Sequence, residues 1–168
     1  MTEIVFEPDK CVGYINDPNL VESLDKRWFG KKEGNILVLT LEEIAYLMLK
    51  QGYEVVVGEK KYTCLEELME KFYDCFKTMF WPRLLVYNDL RSRGRRVKTI
   101  GENKFLVKHK DGTLKLVVVL EEKRLISGGE LLDLARQARS NDLGLILAIV
   151  SLQGDLTYYE VVGTDLRK

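Results

Sequence analysis

One stretch of the chain resembles a metal-dependent catalytic motif. Asp111 followed by Glu121-Glu122-Lys123 matches the D…ExK pattern of metal-dependent nucleases. The carboxylates of that pattern must share one divalent cation. Here Asp111 precedes a predicted strand and Glu121 ends it, and ten extended residues span roughly 30 Å. The two carboxylates cannot reach the same ion, so the pattern does not predict a metal site.

His109 is the single histidine of the chain and lies between Lys108 and Lys110. A histidine suits proton transfer near neutral pH, so acid–base catalysis is one interpretation. The other is a solvated histidine at the end of a strand. Its position near a predicted hairpin tip favours the solvated histidine.

The three cysteines, Cys11, Cys64 and Cys75, form no CxxC pair and cannot all pair with one another. We expect reduced core thiols in a cytosolic protein. With one histidine, they leave no ligand pair at the spacing that zinc requires. We therefore expect neither a metal nor another cofactor.

Charge is unevenly distributed although the formal net charge is zero. Residues 1–80 carry 10 basic and 15 acidic side chains. Residues 83–115 carry 10 basic and 3 acidic side chains, and residues 116–168 carry 6 basic and 8 acidic side chains. The basic middle region fits either a surface that binds a polyanion or a solvated helix and hairpin.

No segment of the sequence predicts membrane insertion or secretion. The longest uncharged apolar run, residues 143–152, is about half the length of a membrane-spanning helix. A secretory signal begins with cationic residues followed by an apolar stretch. The first residues of this chain instead include the acidic Glu3, Glu7 and Asp9, so they do not predict such a signal. We expect a cytoplasmic protein.

Three capping boxes predict where helices begin, because a Ser or Thr and a Glu three residues later satisfy each other's backbone amides. They pair Thr40 with Glu43, Thr63 with Glu66, and Ser127 with Glu130. Apolar residues at helical spacing follow each box, in the second helix as far as Met79. Gly52 should end the first helix. A further helix is predicted from Pro82 to Gly94.

Short apolar runs between these helices predict strands. The N-terminal runs are residues 4–6, 12–15, 36–39 and 53–57, with turns at Pro8, 17–19 and Gly58. The C-terminal runs are residues 96–100, 105–110, 113–121, 143–152 and 156–162. Asp111-Gly112 predicts a tight hairpin. The run 143–152 is apolar on both faces, which favours the central strand of its sheet.

These elements predict an α+β fold with two domains. A small mixed α/β domain covers residues 1–80. A second domain, residues 81–168, has the order αβββαββ around a central mixed sheet.

Three collinear segments carry a family resemblance. Residues 86–99, VYNDLRSRGRRVKT, are similar to a stretch VYrDLRdRGyvVKtG, and residues 39–47, LTLEEIAYL, to a helix LsleEAlYLl. Residues 147–150 with 154–159 are similar to a hairpin LAiVd.dGDityY. All three stretches belong to the archaeal tRNA-splicing endonucleases, so the second domain is expected to be nuclease-like.

The resemblance implies metal-independent cleavage of RNA at bulge-helix-bulge junctions of precursor tRNA. In that family a tyrosine takes the proton of the 2′-hydroxyl, a histidine protonates the leaving 5′-oxygen, and a lysine stabilises the charge on the phosphate. The products are a 2′,3′-cyclic phosphate and a 5′-hydroxyl.

The chain departs from the family at all three catalytic positions. His109 stands at the place of the tyrosine, Gly112 at that of the histidine and Leu143 at that of the lysine. Each loss is expected to lower the rate on the order of 10²-fold or more. The departures favour a structural subunit that is non-catalytic by itself and joins a catalytic chain in a dimer of heterodimers.

The resemblance also assigns roles to other residues. The turn with Gly154 and Asp155 would insert into a basic pocket of the catalytic chain, although an aspartate in a turn also has local reasons. The last strand, residues 156–162, would join the two chains of a heterodimer. Arg136 matches an arginine that stacks on a bulged base.

Arg136 could equally be a surface helix residue. The candidates for RNA contact are Arg136, Arg91, Arg93 and Arg95. Beside the structural subunit, two other hypotheses remain: an endonuclease with a rebuilt site using His109 and Lys110, and a stand-alone RNA-binding module.

Overall fold

The computed structural model describes residues 2–124 and 126–162. Contacts divide the chain into two compact units, Met1–Leu84 and Leu85–Lys168. Within the described residues, every helix is too short or too polar to cross a membrane.

The first unit is a six-stranded sheet with helices. Its elements are β1 (Glu3–Glu7), β2 (Val12–Ile15), α1 (Pro18–Lys26), β3 (Lys31–Glu33), β4 (Ile36–Leu39), α2 (Leu41–Gln51), β5 (Glu54–Val57), β6 (Lys60–Tyr62), α3 (Leu65–Lys71) and α4 (Tyr73–Phe76). The strand order is β3-β4-β2-β1-β5-β6, and the β1–β5 pair is parallel. The four strands predicted from the apolar runs are confirmed to within one residue at each end.

The first capping box is confirmed at the start of α2. The buried carboxylate of Glu43 accepts hydrogen bonds from the backbone N–H and the hydroxyl of Thr40, both at 3.0 Å. It also accepts one from the backbone N–H of Gly30. Burial raises the pKa of Glu43, and these hydrogen bonds oppose that effect. Gly52 ends the helix with φ +68°, as predicted.

One helix of this unit was not predicted, and the bounds predicted for another are wrong. Residues 17–19 begin α1 rather than forming only a turn, because the Asp17 carboxylate accepts from the N–H groups of Asn19 and Leu20 at 2.9 and 3.1 Å. Thr63 does not cap the next helix, since Cys64 occupies the N-cap position. That helix also stops at Lys71, where Phe72 leaves the helical region with φ −116° and ψ 45°.

The second unit has the predicted order αβββαββ. It contains β7 (Arg96–Gly101), β8 (Lys104–Lys108), β9 (Leu114–Glu121), α6 (Gly128–Ser140), β10 (Gly144–Val150) and β11 (Leu156–Val161). Before them α5 (Phe80–Ser92) begins two residues earlier than predicted and crosses the boundary between the units. The sheet is mixed, because β9 and β10 are parallel and the other pairs antiparallel. The α+β fold class is thereby confirmed.

The run 143–152 was wrongly predicted to be the central strand. The order is β11-β10-β9-β8-β7, so β9 lies in the middle and β10 one place from the edge. A strand in either place is paired on both sides, and apolar patterning does not distinguish the two. One face of the sheet packs against α6, with Leu116, Leu145 and Ala138 in the buried cluster. The Ser127 hydroxyl caps α6 by accepting from the N–H of Glu130 at 3.0 Å.

The expectation of three reduced thiols is wrong. Cys11, in the β1–β2 connection, forms a disulfide with Cys75 of α4, while Cys64 is reduced. The two partners are 64 residues apart in the chain, and only the folded first unit brings them together.

Loss of this disulfide should destabilise the first unit. We expect Cys75→Ser to lower the free energy of unfolding by about 3 kcal/mol, because a cross-link over a long loop restricts the unfolded chain. Cys64→Ser is the matched control and should change it little. Urea denaturation measures both, and three titratable thiols in the unreduced, denatured wild-type chain would contradict the pairing.

Candidate functional site

The three positions to which the resemblance assigns the family's catalytic residues lie at one end of the second sheet. His109 follows β8, Gly112 lies in the turn that leads to β9, and Leu143 precedes β10. Because β9 and β10 run parallel with Gly144 opposite Lys115, the starts of both strands lie at the same sheet end as the end of β8. The fold therefore brings His109, Gly112 and Leu143 to the same end of the sheet.

The turn from His109 to Thr113 is closed by its own hydrogen bonds. The N–H of His109 donates to the carbonyl of Thr113 at 2.9 Å, and the N–H of Gly112 donates to the carbonyl of His109 at 3.0 Å. The Asp111 carboxylate accepts from the N–H and the hydroxyl of Thr113, which lowers the pKa of Asp111. Gly112 has φ +89° and lacks a side chain that could donate a proton. The hairpin predicted at Asp111-Gly112 is confirmed.

Leu143 has a packing role. Its side chain is partly buried against the cluster beneath α6, and its N–H donates to the carbonyl of Ala138 at 2.8 Å. An isobutyl group in this place cannot stabilise charge on a phosphate.

The side chain of Lys115, on β9, lies at this end of the sheet. Its ammonium lies 3.0 Å from a carboxylate oxygen of Glu160 on β11. The side chain passes over Gly144, where an added Cβ would stand 2.6 Å from Lys115 Cδ. Sequence reasoning missed this pair, because its members are 45 residues apart.

His109 is a half-buried imidazole in a cationic environment. Burial lowers its pKa most, and the nearby Arg95 lowers it further. Its Nε2 atom is buried and has no hydrogen-bond partner among the residues that the structure describes.

Two of the four arginines proposed for RNA contact have partners within the second unit. The guanidinium of Arg91 donates to the Tyr87 hydroxyl at 3.1 Å and to the carbonyl of Val97 at 2.8 Å. Arg93 lies 3.0 Å from the Asp89 carboxylate and stacks over the ring of Tyr158. Both side chains therefore have partners within the chain.

The other two candidates, Arg95 and Arg136, make longer polar contacts within the chain. Arg95 is half-buried, and its guanidinium donates to the carbonyl of Arg93 at 3.4 Å. Arg136 projects from α6 with 71% of its side chain exposed, and its nearest carboxylate, Asp133, is 4.0 Å away. Arg136 is therefore the most accessible of the four.

The β10–β11 hairpin presents an acidic tip. The N–H of Asp155 donates to the Ser151 hydroxyl and that of Gly154 to the Ser151 carbonyl, both at 3.0 Å. Gly154 has φ +87°, a conformation that favours glycine. Asp155 is exposed, and its carboxylate bonds to none of the described side chains. The tip thus has a hydrogen-bonded backbone and a negative charge that none of the described side chains pairs with.

A groove lined by apolar residues and by the charged residues Arg136, Arg139 and Asp142 lies beside β11. It has a volume of about 590 Å³ and includes Leu132, Leu143 and Val161 in its lining. Tyr159, also on β11, is 54% exposed. Among the described residues, β11 pairs with β10 alone and leaves its outer edge open.

Two known protein families match the chain, one in each half. Residues 5–69 match the family described as "tRNA intron endonuclease, N-terminal domain". Residues 80–158 match the family described as "tRNA intron endonuclease, catalytic C-terminal domain". The tRNA-splicing endonuclease of Thermococcus kodakarensis is 33% identical over 154 residues, 88% of this chain and 90% of the relative. The tRNA-splicing endonuclease of Thermococcus gammatolerans is 35% identical over 155 residues, 88% of this chain and 90% of the relative. That of Pyrococcus horikoshii is 34% identical over 141 residues, 82% of this chain and 82% of the relative.

The chain therefore belongs to the tRNA intron endonuclease family. Both halves of the family's architecture are present, and the similar archaeal proteins are tRNA-splicing endonucleases.

A partly buried hydrogen bond connects β11 to α5, and its loss provides a test of the contact between these two elements. The Tyr158 hydroxyl donates to the Asp89 carboxylate at 2.6 Å, and burial and this bond raise the pKa of Tyr158. We expect Tyr158→Phe to lower the free energy of unfolding by about 1–2 kcal/mol. Tyr159→Phe, on the exposed neighbour, is the control. Urea denaturation followed by circular dichroism measures both, and equal effects of the two variants would contradict the assignment.

Proposed function

We propose that this chain is the structural subunit of a tRNA-splicing endonuclease. It joins a separate catalytic chain and positions it on precursor tRNA, in a dimer of heterodimers in the cytoplasm. The observation that supports this proposal is the sheet end, where a hydrogen-bonded tight turn and a packed Leu143 stand at the positions that the resemblance assigns to catalytic residues.

The catalytic chain supplies the chemistry. A tyrosine removes the proton of the 2′-hydroxyl, a histidine protonates the 5′-oxygen and a lysine stabilises the phosphate in the transition state, so no metal takes part. Neither Gly112 nor Leu143 can perform the corresponding step here. The products are a 2′,3′-cyclic phosphate and a 5′-hydroxyl.

Asp155 is the docking residue for the catalytic chain of the opposite heterodimer. Its support is the exposed, unpaired carboxylate on a turn whose backbone is already ordered, so little conformational entropy is lost on docking. A basic pocket on the partner would pair this charge, and removing it would leave the cations of that pocket buried and unpaired.

The two chains of one heterodimer meet at β11. The open outer edge offers backbone groups for strand pairing, and the adjoining groove offers apolar surface that includes Leu132 and Val161. An edge strand with an exposed Tyr159 is stabilised when another chain covers it.

Reconstitution tests the proposal. A bulge-helix-bulge RNA is incubated with EDTA and with this chain, the catalytic chain of the same source, or both. We expect cleavage only in the mixture. Cleavage by this chain alone would contradict the proposal and favour a rebuilt active site, and binding without any catalytic partner would favour a stand-alone RNA-binding module.

Asp155→Asn should weaken assembly of the complex at least tenfold, since the amide keeps the size of the side chain and removes its charge. Asp9→Asn, in the exposed β1–β2 turn, is the matched control and should assemble as the wild type does. Analytical ultracentrifugation measures the assembly, and normal assembly of the Asp155 variant would exclude the docking role.

A further inference from the structure

A cationic pocket lies beside the end of the second sheet. Its lining residues are Gly94, Arg96, Lys108, His109 and Lys110, and its volume is about 340 Å³. This volume is near the lower end of the range for small-ligand pockets, ~300–1,000 Å³. Arg96 and Lys108 are directly opposite each other in the β7–β8 pair, so the strand register itself sets two of the cations side by side.

The acidic groups near the pocket already have partners. Asp111 and Glu160 both act on His109 electrostatically, but Asp111 is bonded by Thr113 and Glu160 by Lys115. Arg95 and Lys115 add positive charge from the neighbouring elements. None of the residues that line the pocket carries a carboxylate. The pocket is therefore suited to an anion.

Two further features suit a ligand with oxygen acceptors. The buried Nε2 atom of His109 lacks a hydrogen-bond partner among the described residues, and a buried polar atom normally has one. Gly94 has φ +78°, and an added Cβ there would stand 3.0 Å from Lys110 Cε. The absence of a side chain at Gly94 thus lets Lys110 lie close against the backbone at the pocket wall.

We propose that this pocket binds one phosphate group of the RNA backbone. The ligand rests on the proposed function, because precursor tRNA is the polyanion that the complex would handle. The phosphate is bound by Arg96, Lys110 and His109, at the sheet end where the family's catalytic groups are replaced. This site therefore binds the substrate without cleaving it. Such binding weakens as salt rises, since the protein's cations displace counterions from the RNA.

His109 is the reporter for the test, because the single histidine gives one set of imidazole resonances in NMR spectra of the full chain. Inorganic phosphate is the first probe and a bulge-helix-bulge RNA the second. Either anion should stabilise the imidazolium, so both should raise the titration midpoint of His109, by about half a pH unit or more. A shift with inorganic phosphate but none with RNA would overturn the proposal in favour of a free-phosphate site.

The double variant Arg96→Ala/Lys110→Ala should abolish both shifts. It should also weaken RNA binding by the full chain at least tenfold and reduce the slope of log Kd against log salt by about 2, one for each lost cation. Lys31→Ala/Lys32→Ala, on the exposed β3, removes the same charge elsewhere and should keep both shifts. Equal losses in the two double variants would overturn the proposal.

The two proposals fail separately. If the reconstituted wild-type mixture does not cleave RNA, the structural-subunit role fails, while the His109 shift with RNA still decides the phosphate site. If the mixture cleaves RNA and RNA leaves the His109 resonances unmoved, the phosphate site fails alone.

Discussion

The parallel pairing of β9 with β10 is the constraint on which the site depends. Two parallel strands need a crossover, and α6 supplies it while covering one face of the sheet. The starts of both strands therefore lie at one sheet end, and the β8–β9 hairpin returns there too. That end gathers His109, Gly112 and Leu143 whatever side chains these positions carry. The proximity of these three positions is thus a property of the fold, and the chemistry possible there depends on which residues occupy them.

Local signals predicted much of this fold. The capping bonds between Thr40 and Glu43, and the turn at Asp111-Gly112, join residues a few positions apart, so the sequence displays both partners together. The helix α1 was missed because Asp and Pro begin turns and helices alike. The helical spacing of apolar residues also predicted that α3 continues past Phe72, but Phe72 does not have helical dihedral angles.

The contacts that sequence reasoning could not supply are long-range. Lys115 with Glu160, Cys11 with Cys75, and Tyr158 with Asp89 are separated by 45, 64 and 69 residues. Nothing local marks these residues as partners. The placement of Tyr158 beneath the guanidinium of Arg93 is a further contact of this kind, since the two residues are far apart in the chain.

The central claim is that this chain contributes no group to the chemical step. The most direct test is single-turnover cleavage, at saturating RNA, by the complex with alanine in place of the catalytic partner's general-acid histidine. The proposed structural role predicts that this complex is as inactive as the isolated chain. Residual cleavage by the partner-inactivated complex that disappears with His109→Ala would contradict it.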